Sequence, residues 1–322
     1  MSFFGGGTDY KPWYLENGGA VLATTIDKYC YISCRRLPQF FDHTHRIVYS
    51  KIENVKSISE IEHPSVRHVF DWMGVAEGLE VHHDGDLPAR SGLGSSSSFT
   101  VGLVHALRAL NGSYCSKRFL ADSALHVEQD LIKENVGSQD QISAAFGGFN
   151  RIDFHQSGDY SVSPLIAPRE NVLELERHMM LFFTGLTRFA SEVAKDKIAN
   201  LASRQDELVT MHQMVDEGVS IMGAKNFQAM NFGDLLDEGW RLKRSLSQKI
   251  SNSTIDDMYS AAKAAGAVGG KLLGAGAGGF LLLLVEPERQ INVRKALAHL
   301  THVPFKFENQ GSAVVLYQPE GL

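Results

Sequence analysis

Apolar and polar residues alternate over 79–83, a strand pattern. The next apolar positions, Phe99, Leu103, Leu107 and Leu110, recur at helical spacing until Asn111-Gly112 stops the run. Upstream, Phe3-Phe4 reads as a strand end breaking into a glycine turn. β-prone side chains predict one strand over 21–33 and a short one over 46–50, and Pro64 opens a helix over 64–73. Leu120, Ala124, Val127 and Leu131 share one face of a second helix, predicted over 116–133. A short helix after Gln141 ends at Gly147-Gly148, and β structure over 149–166 turns at Gly158-Asp159. A turn-rich segment, 164–170, is the candidate boundary between domains at 1–168 and 169–322. Beyond it come a buried-type strand over 179–184 and a mostly helical stretch over 190–250. The last quarter reads as helix (255–265), strand, glycine loop, strand (280–285), helix (287–300), strand, Gly311 and a final strand.

Composition narrows the class only a little. The 322 residues, 43% apolar and 21% charged, suit one large or two modest soluble domains. A formal net charge of −6 gives no reason to expect a nucleic acid partner. Cys30, Cys34 and Cys115 form no C-x-x-C pair and are an odd number, which favours free thiols over a disulfide framework or zinc site. The N-terminus lacks the pattern of a signal peptide, and the longest apolar run, at 280–285, is too short to cross a bilayer. The expectation is a cytoplasmic protein with no membrane partner; oligomeric state is not legible.

Between the strand at 79–83 and the next helix runs Asp86-Leu87-Pro88-Ala89-Arg90-Ser91-Gly92-Leu93-Gly94-Ser95-Ser96-Ser97-Ser98. A strand, a Gly/Ser loop and a helix N-terminus together bind phosphate, because the first helical turn offers free N–H donors and the positive end of the dipole. A flexible linker is the competing reading, but structured patterns flank the loop closely. The Walker pattern is excluded because no lysine follows the glycines, and the dinucleotide fingerprint because position 97 is serine. Two further glycine clusters, Gly5-Gly6-Gly7 and the run from Gly269 to Gly279, suggest several backbone surfaces around one polyanion. Glu128 and Asp140, twelve residues apart, supply acids for phosphoryl transfer: one to hold Mg²⁺ with a loop serine, one to act as base.

These motifs resemble those of the GHMP family of small-molecule kinases. Pro88 to Ser96 matches its Pro-x-x-x-Gly-Leu-Gly-Ser-Ser loop. Lys271 to Gly279 matches its C-terminal glycine loop with Ala277 in place of one glycine, and Gly5 to Tyr10 matches the sugar-binding segment of its sugar kinases. Gly137 to Gln141 matches the segment that carries their catalytic aspartate. The resemblance implies an α+β fold of two domains, an S5-like N-terminal one and a ferredoxin-like C-terminal one. It assigns ATP to Gly92, Leu93, Gly94, Ser95, Ser96, Ser97, Gly274 and Gly276, Mg²⁺ to Ser96 and Glu128, and the catalytic role to Asp140. Sugar contacts fall on Gly6, Gly7, Thr8, Asp9, Tyr10 and Asp140.

Within the family, the chain is most similar to the heptose 7-phosphate kinases, which phosphorylate the anomeric hydroxyl on the route to GDP-heptose and surface polysaccharide. L-fucokinases share much of the first motif. A sugar phosphate substrate needs a second anion site, for which Thr184 to Arg188, with Gly185 and Arg188, is the candidate. Many of these kinases have an arginine just before the first motif; the register puts it immediately upstream of Met1, outside the 322 residues. A non-catalytic ATP- and sugar-binding sensor is the competing class, and the intact Glu128 and Asp140 argue against it. A nicotinamide dehydrogenase is set aside for want of the fingerprint.

Overall fold

A computed structural model describes residues 1–89, 91–186 and 190–318. In chain order the elements are β1 (Ser2–Phe4), α1 (Lys11–Asn17), β2 (Gly19–Ile26), β3 (Cys30–Arg36), β4 (His45–Val48), β5 (Ile52–Val55), α2 (Pro64–Trp72) and β6 (Leu79–Gly85). There follow α3 (Ser95–Leu110), α4 (Lys117–Leu125), a π turn (His126–Leu131), α5 (Gln139–Phe146), β7 (Phe149–Phe154) and β8 (Tyr160–Pro164). The second half carries α6 (Arg169–His178), β9 (Met179–Phe183), α7 (Ala190–Asn200), α8 (Gln205–Gly223), α9 (Ala229–Ser245) and α10 (Ser253–Ala264). It closes with β10 (Ala267–Leu272), β11 (Phe280–Val285), α11 (Gln290–Ala296), β12 (Thr301–His302) and β13 (Phe307–Glu308).

The first half builds two sheets, in the orders β1-β2-β7-β8 and β3-β6-β4-β5. The second half builds an antiparallel sheet, β10-β11-β9-β12. α3 follows from its apolar spacing: Phe99, Leu103 and Leu107 are all buried, and Gly102 brings it close enough to β3 that a Cβ there would lie 2.9 Å from Ile32. One core cluster crosses the halves, packing Phe3, Phe4, Ala20 and Leu22 with Val215, Phe232 and Leu282. β13 also returns from the second half to pair with β2.

Four expectations are corrected. The single strand over 21–33 is two strands in different sheets, β2 and β3. The chain breaks at Asp27 because its N–H bonds Lys306 O and its carboxylate accepts from Lys306 N, while Tyr29 N turns to Asp86 Oδ2. The helix over 116–133 is α4 followed by the π turn. The short helix begins at Gln139 rather than after Gln141, so Asp140 sits in its first turn. No strand follows Gly311 among the described residues to 318; β13 precedes that glycine.

Candidate active site

The loop after β6 reaches α3 through Gly94, which caps the helix in the left-handed conformation (φ 70°) and offers no side-chain cap. A helix N-terminus of this kind carries the positive end of the dipole, which suits an anion. The C-terminal glycine loop lies directly against this turn. A Cβ on Gly274 (φ 72°) would fall 2.5 Å from Gly92 Cα, and one on Gly279 2.1 Å from Ser91 O. No side chain fits between the two backbones. On its far side the loop is anchored where Ala277 N donates to Ile250 O at 2.8 Å and where Gly276 presses on Ile250. The Gly185 turn after β9 joins it too, since Thr184 Oγ1 donates to Gly279 O and Gly279 N to Leu186 O. Gly185 itself is exposed with open space around it; Arg188 lies outside the described residues.

Asp140 rests on the cap of α3: a Cβ on Gly94 would lie 3.3 Å from its Cβ and Cγ. Although the residue is exposed, desolvation of its carboxylate by the surrounding protein raises its pKa. The Met1 ammonium opposes that rise, Asp9 adds to it, and Lys243 opposes it. Asp9 is only 1% exposed and clamps the first motif onto α5, taking Gly7 N at 2.9 Å and Gln139 N at 3.4 Å. Gly137 is required there, because a Cβ would sit 1.9 Å from the Asp9 carboxylate. Two carboxylates at the N-terminus of α5 also suit its dipole.

The rest of the first motif divides. Gly7 supplies its N–H to Asp9, and Gly6 opens between Ser2 Oγ (3.6 Å from an added Cβ) and Gln139 Nε2 (3.9 Å). Thr8 and Tyr10 face inward instead. The Thr8 hydroxyl is used on Gly5 O and Ala20 O and accepts from Ala20 N, and Tyr10 packs with Trp13 and Tyr14. Ser2 Oγ and Gln139 Oε1 are buried with no hydrogen-bond partner among the described residues, beside Gly6 and Asp140. The sequence reading missed both, although Gln139 adjoins Asp140.

Glu128, in the π turn, is wholly buried. Three donors hold it: Ser97 Oγ at 2.9 Å, Thr100 Oγ1 at 2.9 Å and Gln141 Nε2 at 2.5 Å. Burial outweighs these donors and pushes its pKa up to about 7. The serine hydroxyl on Glu128 is that of Ser97, while Ser96, one position earlier, is exposed. Among the described residues no three His, Cys, Asp or Glu side chains gather as a metal cluster. One carboxylate among hydroxyls, beside the N-terminus of α3, is instead a donor set that fits Mg²⁺, which takes few protein ligands and keeps water and substrate phosphates.

The sequence matches the GHMP kinases N terminal domain over residues 60–148 and the GHMP kinases C terminal domain over 224–301. It is 31% identical over 311 residues to the D-glycero-alpha-D-manno-heptose 7-phosphate kinase of Campylobacter jejuni, across 92% of this chain and 90% of that protein. The chain belongs to the GHMP kinase family. This GHMP kinase is 27% identical to the bifunctional fucokinase/GDP-fucose pyrophosphorylase of Arabidopsis thaliana, over 96% of its own length but 31% of that protein. Its fold matches the crystal structure of a D-glycero-D-manno-heptose 1-phosphate kinase from Bacteroides thetaiotaomicron with a TM-score of 0.77, at 25% identity over 97% and 94% of the two chains. It is a sugar kinase, a phosphotransferase of mixed α+β architecture. GHMP kinases use ATP, generally with Mg²⁺.

Proposed function

We propose that this GHMP kinase transfers the γ-phosphoryl group of ATP to the anomeric hydroxyl of D-glycero-D-manno-heptose 7-phosphate, giving the 1,7-bisphosphate. The observation that carries the reading is Asp140 resting on Gly94, an acid against the N-terminal cap of α3, in a chain similar to a heptose 7-phosphate kinase along nearly its whole length. The N-terminus of α3 and the backbone of Gly92, Leu93, Gly94, Ser95, Ser96 and Ser97 hold the triphosphate, with Gly274 and Gly276 closing over it. Glu128 and a loop hydroxyl, Ser96 or Ser97, would hold Mg²⁺, which neutralises charge on the phosphates when bound. Asp140 takes the proton of the anomeric hydroxyl as that oxygen bonds to the γ-phosphorus and the bond to the departing ADP oxygen breaks. Gly6, Ser2 and Gln139 face the sugar. The 7-phosphate falls to the Gly185 turn and Arg188. The product is one step on a cytoplasmic route to GDP-heptose and surface polysaccharide.

The likeness to the Arabidopsis fucokinase favours L-fucose as a second substrate to test. The test is ³¹P NMR with Mg-ATP and one acceptor at a time: the heptose 7-phosphate, L-fucose, D-galactose and mevalonate. A new anomeric phosphate signal from the heptose phosphate alone is expected. A signal only from fucose or galactose removes the second anion site. Silence with every acceptor, together with tight ATP binding, favours the sensor reading.

A further inference from the structure

Lys243, in the last turn of α9, is 4% exposed and has no place in the motifs. Its ammonium donates to two carbonyls, Leu272 O at 2.8 Å and Gly274 O at 2.6 Å, which open the C-terminal glycine loop. Burying an ammonium is costly, and a neutral donor would tie the same carbonyls for less. What the lysine adds is a positive charge, and the contacts lead from it to the chemistry. Gly274 seats on Gly92, and two residues on Gly94 carries Asp140.

We propose that Lys243 is a positioning residue for phosphoryl transfer, its buried ammonium pinning Leu272 and Gly274 so that the glycine loop seats on Gly92, two residues before the Gly94 cap on which Asp140 rests. The inference rests on the proposed role of Asp140 as base. The charged groups around Asp140 are the Met1 ammonium ahead of β1, Asp9 ahead of α1, and Lys243 from α9. Lys271 of β10, whose ammonium donates to Phe3 O at 2.7 Å, acts on the Met1 ammonium. Of these, Lys243 alone is bonded to the glycine loop's Leu272 and Gly274 carbonyls among the contacts described.

The test compares the full-length wild type with Lys243→Met and Lys243→Arg, following ADP release with the accepted sugar between about pH 5 and pH 9. Amide hydrogen exchange over 272–279 is measured in parallel. Lys243→Met is expected to lower kcat by about tenfold to a hundredfold, as a small misplacement does, to move the acidic limb of kcat to higher pH, and to speed exchange over 272–279. Lys243→Arg, keeping the charge, is expected to hold the limb at its wild-type pH. A limb that stays in place in Lys243→Met, or exchange that does not change, overturns the proposal. Should Lys243→Met fail to fold, Lys243→Gln is read in its place by the same criteria. A wild type that phosphorylates no sugar defeats the substrate reading instead, and the exchange measurement still reads the hold of Lys243 on the loop.

Discussion

At the scale of single residues, Asp140 and Glu128 are two acids in opposite situations. Asp140 is accessible on a helix cap, while Glu128 is enclosed and held by three donors. Asp140→Asn keeps the shape and loses the base, so turnover should fall about 10²- to 10⁴-fold with ADP affinity retained. Steady-state rates and calorimetric ADP titration of that variant check both halves, and near-normal turnover would remove Asp140 from the chemistry. Glu128 links the fold to pH. Its pKa is raised from 4.5 to about 7, so the folded state binds the proton more tightly than the unfolded one. The stability this contributes is complete below about pH 4.5 and is lost as pH rises through about 7, a swing on the order of 3 kcal/mol. Thermal melts of the metal-free protein should therefore decline from pH 5 to 8, and Glu128→Gln should flatten that decline. Both acids were singled out in the sequence only in combination with the serine loop, since an acid on a helix is by itself an ordinary surface group. Thr100, Gln141 and Lys243 were not, because an isolated polar residue on a helix reads as solvated until the fold brings its partner from 28, 13 or 29 residues away.

At the scale of elements, the strand–loop–helix around Gly92 and Gly94 was fully legible, since its periodicities switch across a local loop. The π turn was not. Leu120, Ala124 and Val127 keep helical spacing straight into it, and nothing in His126–Leu131 announces the wider turn that seats Glu128 in the core. Such turns commonly mark functional positions in otherwise regular helices. The split between β2 and β3 was likewise hidden, because β propensity runs on through Tyr29 and Tyr31 while the break comes from Asp27 meeting Lys306. The contact of the two glycine loops gives a sharp test. Gly274→Ala forces a methyl to within 2.5 Å of Gly92 Cα, at a left-handed position that alone costs about 1–2 kcal/mol. The loops must part, so ATP affinity should drop by about tenfold or more while the far-UV spectrum is unchanged. Wild-type affinity in that variant would show that the loops do not act together on the nucleotide.

At the scale of the whole molecule, the two halves are interlocked more deeply than the turn-rich segment at 164–170 suggests. β13 pairs with β2, Lys271 donates to Phe3 O, Arg151 forms an ion pair with Asp216, and one core cluster takes side chains from both halves. A sequence shows where the chain turns; it does not show which faces are later shared, and here β1 and β2 are covered by α8 and α9 from the other half. Phe4 lies so close to α8 that a Cβ on Gly218 would sit 2.6 Å from its ring and 3.1 Å from Leu22. Gly218→Ala gains up to about 1 kcal/mol of helix propensity but overpacks this seam at a cost of about 1–3 kcal/mol, so net destabilisation is expected. If the seam is part of one cooperative unit, it lowers the denaturant midpoint equally for both halves. Trp240 reports the second half, and Trp13 the first once Trp72 and Trp240 are replaced by phenylalanine. Coincident midpoints from the two probes, shifted together by Gly218→Ala, are the expected result. Two separated transitions, with the variant moving only one, would mean that the halves are stable apart and that the shared cluster is a contact between finished domains.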